Sequence, residues 1–367
     1  MRPEPLIATQ CAVCGNHTFA VICPAHEVRS HLEYLWGFHC RRSRPRRDHE
    51  PARDGLAERA GFTQDYVTDI VACTGCGLVF RNPHPSAQAP ANAYPQGHYG
   101  SARLAALFEA QRELSRRQAR FLRRWLPTRE EIRIVEVGSF VGGFLAAGQE
   151  YGWNMVGVEP EMEVNNFCRR RGQSVFQGTL TELPLEERSV DCIAIWQTFD
   201  QLPDPEPTLA AACRLLRPGG ILAVRVPNGE CFRLAIAWMR KLPRPLASCL
   251  RVALAWNNLL AFPYLHGYSL RTLDWLLPHY GFTRIAVRPD TLPRLAGAQT
   301  KRWAAQEERT LKFLCSLTTR LAALHPTNPG QIAPWFDVCY RQSLRPAITR
   351  VPRFKVSLPF PLLPAVA

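Results

Sequence analysis

The sequence predicts an α/β fold: a mostly parallel sheet covered by helices, preceded by a small cysteine-bearing module. Three observations carry this reading. Short runs rich in Val and Ile alternate with helical spacing from residue 101 onward, one run opens into a glycine turn, and two Cys-x-x-Cys-Gly pairs stand ahead of them.

The chain is organised around residues 132–145, IRIVEVGSFVGGFL. Ile132, Ile134, Val135 and Val137 form a buried-strand run that ends at Gly138, and Phe144 and Leu145 then resume a helical pattern. Gly138, Gly142 and Gly143 permit positive φ and close backbone approach, and the helix that follows begins with unpaired N–H groups. Such a turn is a cradle for a ligand. A nicotinamide dinucleotide site requires G-x-G-x-x-G, whereas here Ser139, Phe140 and Val141 separate Gly138 from Gly142. Glu136 precedes the first glycine by two residues. A second strand, WNMVGV over 153–158, ends at Glu159, 21 residues after Gly138, where a carboxylate accepts hydrogen bonds from ribose hydroxyls. A helix over 161–171, a short strand near 174–176, the turn 177–180 and the strand SVDCIAIW over 189–196 follow. Residues 215–228, LLRPGGILAVRVPN, then combine a helix end, a Pro218-Gly219-Gly220 turn and another strand.

In this order and at these distances the segments closely resemble class I S-adenosylmethionine (SAM) methyltransferases, whose first motif is acidic-x-Gly-x-Gly-x-Gly. The resemblance covers about residues 104–342. It implies a Rossmann-like seven-stranded sheet whose last strand is antiparallel, and SAM as cofactor. The positions it points to are Glu136, Gly138, Ser139, Phe140, Gly142 and Gly143 in the first turn, and Glu159 and Pro160 after the second strand. Thr179 and Leu180 stand in the adenine-side turn, Trp196 ends the fourth strand and Gln197 follows it. Phe140 departs from the family, standing where the middle glycine is usual, so the wall beside the methionine part of SAM is expected to differ.

At 367 residues and 46% hydrophobic, the chain has enough apolar material for such a core plus one small module. Arg and Lys break every long apolar run, which argues against a spanning helix, and MRPEPLIATQC lacks an apolar signal core. Thirteen scattered cysteines fit a reducing compartment, so a cytoplasmic location is expected. The net charge of +14 bears on partners. Much of it is arginine on the helix 101–125 and in the run 41–47, which reads as solvated surface and a basic loop. An RNA substrate, a phosphorylated carrier or an anionic lipid surface are the sharper readings of the same charge.

Cys11, Cys14, Cys73 and Cys76, in two C-x-x-C-Gly knuckles, bring two pairs of thiolates to one structural Zn²⁺. The 58 residues between the pairs exceed ribbon spacing and imply an insertion. A four-cysteine segment followed by GLVFRNPHP and then a SAM domain resembles bacterial methyltransferases with an N-terminal zinc-binding segment, deoxysugar C-methyltransferases among them. The last third does not match those sugar enzymes. The expected organisation is a zinc-ribbon module over 1–85, a linker over 86–100, and the methyltransferase domain over 101–342 with a helical lid insertion at 229–266. The tail 343–367 carries no reading.

Methyl transfer from a sulfonium needs alignment more than covalent help, and a general base only for a poorly ionised acceptor. The loop 197–205, QTFDQLPDP, keeps an acid at Asp200, with Gln201 where related enzymes often carry histidine. Residues 229–262 mix aromatics with arginines and read as a lid over the acceptor or as a membrane-surface helix pair. Tyr264, His266 and Tyr268 precede a helix over 270–277 capped by Ser269, and Tyr94, His98 and Tyr99 precede the helix 101–125. His266, Asp200 and Tyr268 are the candidates for acid–base or acceptor contact. A strand over 282–287, a helix over 299–324 and a last strand over 333–342 complete the pattern. The function expected is SAM-dependent methyl transfer to a small-molecule or sugar-type acceptor. An RNA methyltransferase and a catalytically silent partner subunit are the alternatives.

Overall fold

The computed structural model describes residues 6–7, 9–44, 67–85, 100–261, 265–292, 300–323 and 332–343. Tyr94, His98, Tyr99 and Tyr264, most of the linker and all but the first residue of the tail lie outside that range.

The N-terminal part contributes β1 (Leu6–Ile7), β2 (Phe19–Cys23), helix α1 (Ala25–Arg42), β3 (Asp69–Cys73), β4 (Val79–Asn82) and β5 (His84–Pro85). The main domain begins with α2 (Ser101–Arg123), the amphipathic helix the arginine-rich spacing predicts. It continues through β6 (Arg133–Val137), α3 (Gly143–Gln149), β7 (Asn154–Glu159), α4 (Met162–Arg170), β8 (Val175–Gln177) and β9 (Val190–Trp196). Next come α5 (Glu206–Leu215), β10 (Leu216–Pro227), α6 (Gly229–Lys241) and α7 (Arg244–Trp256). The chain closes with β11 (His266–Gly267), α8 (Leu270–Leu276), β12 (Phe282–Asp290), α9 (Arg302–Ala323) and β13 (Trp335–Gln342).

The main sheet has seven strands in the order β12-β13-β10-β9-β6-β7-β8. β6 pairs in parallel with β7 and β9, β9 with β10, and β7 with β8. β13 runs antiparallel to both β10 and β12. The expected Rossmann-like sheet with a reversed last strand is therefore present, and that strand sets it apart from an all-parallel dinucleotide sheet. The centre follows from composition: all seven residues of β9, VDCIAIW, are buried, as a strand covered on both faces requires.

Two opposite charges lie inside apolar runs. Arg225 on β10 and Asp337 on β13 are both fully buried and pair at 2.6 Å; Arg225 also reaches Asp290 at 2.9 Å and the Thr291 carbonyl at 3.0 Å. Arg288 of β12 adds a second guanidinium to Asp337. The reversed strand is thereby tied to both neighbours by charge as well as by its ladder.

The cysteine module is larger than a ribbon. β2, β3, β4 and β11 form a second, antiparallel sheet in the order β11-β4-β3-β2, so its fourth strand comes from residues 266–267, far along the chain. The region between the knuckles supplies α1. Leu35 and Phe38 of α1 share a core with Ala235 of α6, Leu254 and Trp256 of α7, and Ala304 of α9. Within the run 41–47, Arg42 is buried and binds Glu307 of α9 through Nε at 2.7 Å and Nη2 at 2.9 Å. The pair of helices after β10 packs on the N-terminal part through this shared layer. Among the described residues, no helix is long and apolar enough to cross a membrane.

Removing one partner of a buried ion pair leaves an uncompensated charge, which costs about 3–5 kcal/mol. Asp337→Ala is accordingly expected to lower the unfolding free energy by about that much, and the double replacement Arg225→Met with Asp337→Leu by less. Urea denaturation of the three proteins measures both differences.

Candidate functional site

The turn after β6 is built around a close approach. Gly138 has φ +71°, and a Cβ there would stand 2.2 Å from Thr198 Oγ1, in the loop that follows β9. Only glycine satisfies both the left-handed backbone and the contact. Gly138 and Ser139 donate their N–H groups to the Val158 carbonyl of β7 at 2.8 and 3.2 Å. Phe140 sits at φ +45°, in the left-handed backbone region that favours glycine. Left-handed backbone costs an ordinary residue roughly 1–2 kcal/mol. Its side chain packs against Leu104 and Phe108 of α2 and Val164 and Phe167 of α4, which offsets that strain. The first N–H of α3, on Gly143, is taken by Gln111 Oε1 of α2 at 2.9 Å, and the Gly142 carbonyl by Gln173 Nε2 at 2.7 Å.

Two carboxylates face this turn. Glu159 Oε2 accepts from Phe140 N at 3.0 Å and Oε1 from Glu161 N at 3.1 Å. Burial raises Glu159 above the usual carboxylate range, and those two backbone donors oppose the rise. Glu136, on β6, is fully buried; burial pushes it well above the usual range, and the Glu159 charge pushes it further. Glu136 Oε2 and the neighbouring Ser139 Oγ have no hydrogen-bond partner among the described residues. Buried acceptors without donors are costly, and an acid raised further by a neighbouring carboxylate calls for a cation or for hydroxyl donors beside it. The donor set therefore fits a ligand with ribose hydroxyls and a positive charge, both of which SAM has.

The remaining cofactor candidates divide. Pro160 is exposed beside Glu159, and Thr179 is exposed, its hydroxyl donating to Glu182 at 2.8 Å. Leu180 is buried in the main core, so its turn offers backbone rather than side chain. The Trp196 ring packs edge-to-face on Phe144, 5.4 Å between centroids, with its indole N–H lacking a partner among the described residues. Gln197 has φ +57° and donates its N–H to Arg225 O at 3.1 Å, placing the loop 197–201 beside the buried ion pair.

Asp200, His266 and Tyr268, distant in sequence, come together. The Phe199 and Tyr268 rings lie 5.0 Å apart and those of His266 and Tyr268 5.8 Å apart; all three candidate side chains are fully buried. Both Asp200 carboxylate oxygens, Tyr268 Oη and His266 Nδ1 lack partners among the described residues. Burial holds Asp200 well above its usual range and raises Tyr268, to which the Asp200 charge adds. His266 is pushed down to about 3 by burial and then by His84, while the Leu202 backbone works the other way. It is a neutral imidazole at ordinary pH. His84, 6.4 Å from His266 between ring centroids, is a member of this cluster that pattern reading passed over; it stands in the quoted GLVFRNPHP segment.

β11 explains how His266 gets there. His266 and Gly267 pair with Phe80 and Val79 of β4, Arg81 N donates to Leu265 O at 3.0 Å, and buried Arg81 reaches the Ala261 carbonyl at 2.6 Å. On the other side Gly229 N donates to Tyr268 O at 3.1 Å, and a Cβ at Gly229 would stand 2.2 Å from Gly267 O. The strand is clamped between the cysteine module and the start of α6.

Beneath it lie the four candidate metal ligands. The sulfurs of Cys11, Cys14, Cys73 and Cys76 all lie within 4.8 Å of one another, with 3.5 Å from Cys11 to Cys76 and from Cys14 to Cys73. Four thiolates at about 2.3 Å from one Zn²⁺ stand about 3.8 Å apart, whereas a disulfide needs about 2.05 Å. All thirteen cysteines are free. The two knuckles match: Gly15 N returns to Cys11 O at 2.8 Å and Gly77 N to Cys73 O at 2.9 Å, both glycines at positive φ. The arrangement fits a closed structural site.

Residues 108–287 match a family described as a methyltransferase domain. An uncharacterised methyltransferase of Mycobacterium tuberculosis is 27% identical over 223 residues, covering 60% of this chain and 86% of the relative. A probable SAM-dependent methyltransferase of Mycolicibacterium smegmatis is 41% identical over 55 residues, 15% of this chain and 21% of the relative. A solved SAM-dependent methyltransferase from Archaeoglobus fulgidus superposes with a TM-score of 0.40 at 16% identity, covering 63% of this chain and 94% of that one. The fold itself rests on the strand order given above. Residues 108–287, just under half of the chain, thus match a methyltransferase domain, and the strand order with its reversed β13 is the sheet that the resemblance to class I SAM-dependent methyltransferases implies.

Proposed function

We propose that the protein methylates a small-molecule or sugar-type acceptor, with the cofactor held at the β6 and β7 ends and the acceptor beside Asp200, His266 and Tyr268. One observation carries the reading: a fully buried carboxylate, Glu136, and a half-buried one, Glu159, meet at a glycine turn with no cation beside them among the described residues. Bound SAM supplies a sulfonium-activated methyl group. The protein's part is to hold and orient. Glu159, with its oxygens anchored by two backbone N–H groups, has lone pairs left for ribose hydroxyls, and Glu136 with Ser139 offers acceptors to an ammonium.

A single loop joins the two halves of the site. Thr198 packs on Gly138 while Phe199 packs on Tyr268, so the loop after β9 sets the spacing between cofactor turn and acceptor cluster. His266 Nδ1 and the Asp200 oxygens are the groups available to take a proton from a hydroxyl or carbon acid. Zinc in the four-cysteine site would hold the sheet to which β11 belongs, and hence His266. RNA is the weaker reading, because much of the arginine surface of α2 is engaged: Arg112 and Arg116 bind Glu150 at 2.7 and 3.0 Å.

Calorimetry tests the cofactor assignment. SAM binds the wild type, and Glu159→Ala weakens it by about 1–3 kcal/mol, the cost of an unpaired buried partner; binding of a nicotinamide dinucleotide in place of SAM overturns the reading. For the acceptor cluster, His266→Gln and Asp200→Asn are expected to lower kcat by about 10²–10⁴ with SAM affinity unchanged, once a metabolite screen has identified an acceptor. Metal analysis is expected to find one zinc per chain, lost in Cys14→Ser together with turnover but not with SAM binding.

His266 also has a pH signature. Its folded pKa, about 3, lies below the unfolded value of 6.5, so the unfolded chain binds the extra proton first. Its contribution to stability is complete above 6.5 and is lost as pH falls toward 3. The urea midpoint of the wild type should therefore drop more steeply between those limits than that of His266→Gln.

A further inference from the structure

The layer formed by α1, α6, α7 and α9 has a surface unlike the rest of the molecule. Of ten large apolar side chains that stand exposed among the described residues, seven are on these four helices. Trp238 of α6, Leu246 of α7, and Trp303 and Phe313 of α9 are exposed by 56%, 55%, 53% and 65%. Because the helices share one core, their outward faces adjoin.

Apart from Glu33 on α1, which is exposed, the exposed charges on that surface are basic. No acidic residue occurs between Glu230 and Asp274, a stretch that holds Arg240, Lys241, Arg244 and Arg251, all exposed. On α9, Arg302 and Arg309 are exposed. The carboxylates of α6 and α9 are turned inward to partners: Glu230 to Arg233 at 2.6 Å, Glu307 to Arg42, and Glu308 to buried Lys312 at 2.5 Å. Arg240 is half committed, binding Glu27 of α1 at 2.8 Å. Lys241 and Arg244 flank Leu242 and Pro243 at the turn between α6 and α7, with Trp238 one turn before and Leu246 just after.

Tryptophan, leucine and phenylalanine interleaved with cations, with no exposed acid on α6, α7 or α9 among the described residues, have the chemistry of an interfacial anchor. The rings suit the boundary between headgroup and acyl chain, and Lys and Arg are drawn to an anionic leaflet. No described helix is able to span, so the association is peripheral. We infer that the α6–α7 turn and the outer face of α9 form a docking surface for an anionic lipid membrane.

Flotation of the full chain with phosphatidylcholine vesicles, with and without about one-third phosphatidylglycerol, tests this. The wild type is expected to float with the anionic vesicles and not with the neutral ones, with a blue shift in tryptophan emission. Lys241→Glu with Arg244→Glu should lower the partition coefficient at least about tenfold, and Trp238→Ser with Phe313→Ser should abolish the blue shift. Calorimetric SAM binding by both double variants shows that each is folded. Failure of the wild type to float, equal flotation of the charge-reversed variant, or retention by single-stranded RNA without flotation overturns the assignment.

Discussion

The candidate site depends on a two-residue strand. β11 pairs with β4 through His266 and Gly267, and this pairing joins a sheet organised by four cysteines to the segment that packs on the loop after β9. Backbone ladders are indifferent to side chain, so what holds the register is steric: Gly229 and Gly267 are in such close contact that the strand cannot shift toward α6. His266 and Tyr268 inherit their positions from that clamp. The cysteine module is in this sense part of the site and not an appendage to the domain.

The cofactor turn shows a different economy. Four of its N–H groups are already taken: Gly138 and Ser139 give theirs to β7, Phe140 to Glu159 and Gly143 to Gln111. What is left unsatisfied is acceptor capacity, on Glu136 and Ser139. A turn organised this way discriminates against a pyrophosphate, which needs donors, and in favour of a cationic, hydroxyl-bearing group. The physical contrast agrees with the spacing of the glycines, which argues the same point from sequence.

Most of the main sheet was legible because its signals are local. Runs such as VDCIAIW are short, apolar and bounded, the glycine turn needs its own residues, and Ser269 caps α8 through the reciprocal contact with Thr272. The joining of Asp200, His266 and Tyr268 was anticipated as separate candidates, not as a cluster, since strand pairing across more than 180 residues leaves no periodic trace. α1 was hidden in a different way. Its apolar positions Val28, Leu35 and Phe38 have helical spacing, yet they lie between two knuckles where an insertion is the simpler reading. Arg225 and Asp337 carry a signal that is easy to pass over: a single opposite charge in each of two otherwise apolar, buried runs, VRVPN and WFDVCY, implies that the two meet.

The separation of the knuckles has its own consequence. A metal joining Cys14 to Cys73 closes a loop of about sixty residues, and the entropy removed from the unfolded chain by such a staple grows with the length enclosed. The long segment between the pairs thus strengthens the tether. Without the ion, α1 and its sheet would be attached to the remainder by side-chain packing, a few ion pairs and one short ladder, and the N-terminal quarter would become the first part of the molecule to come undone.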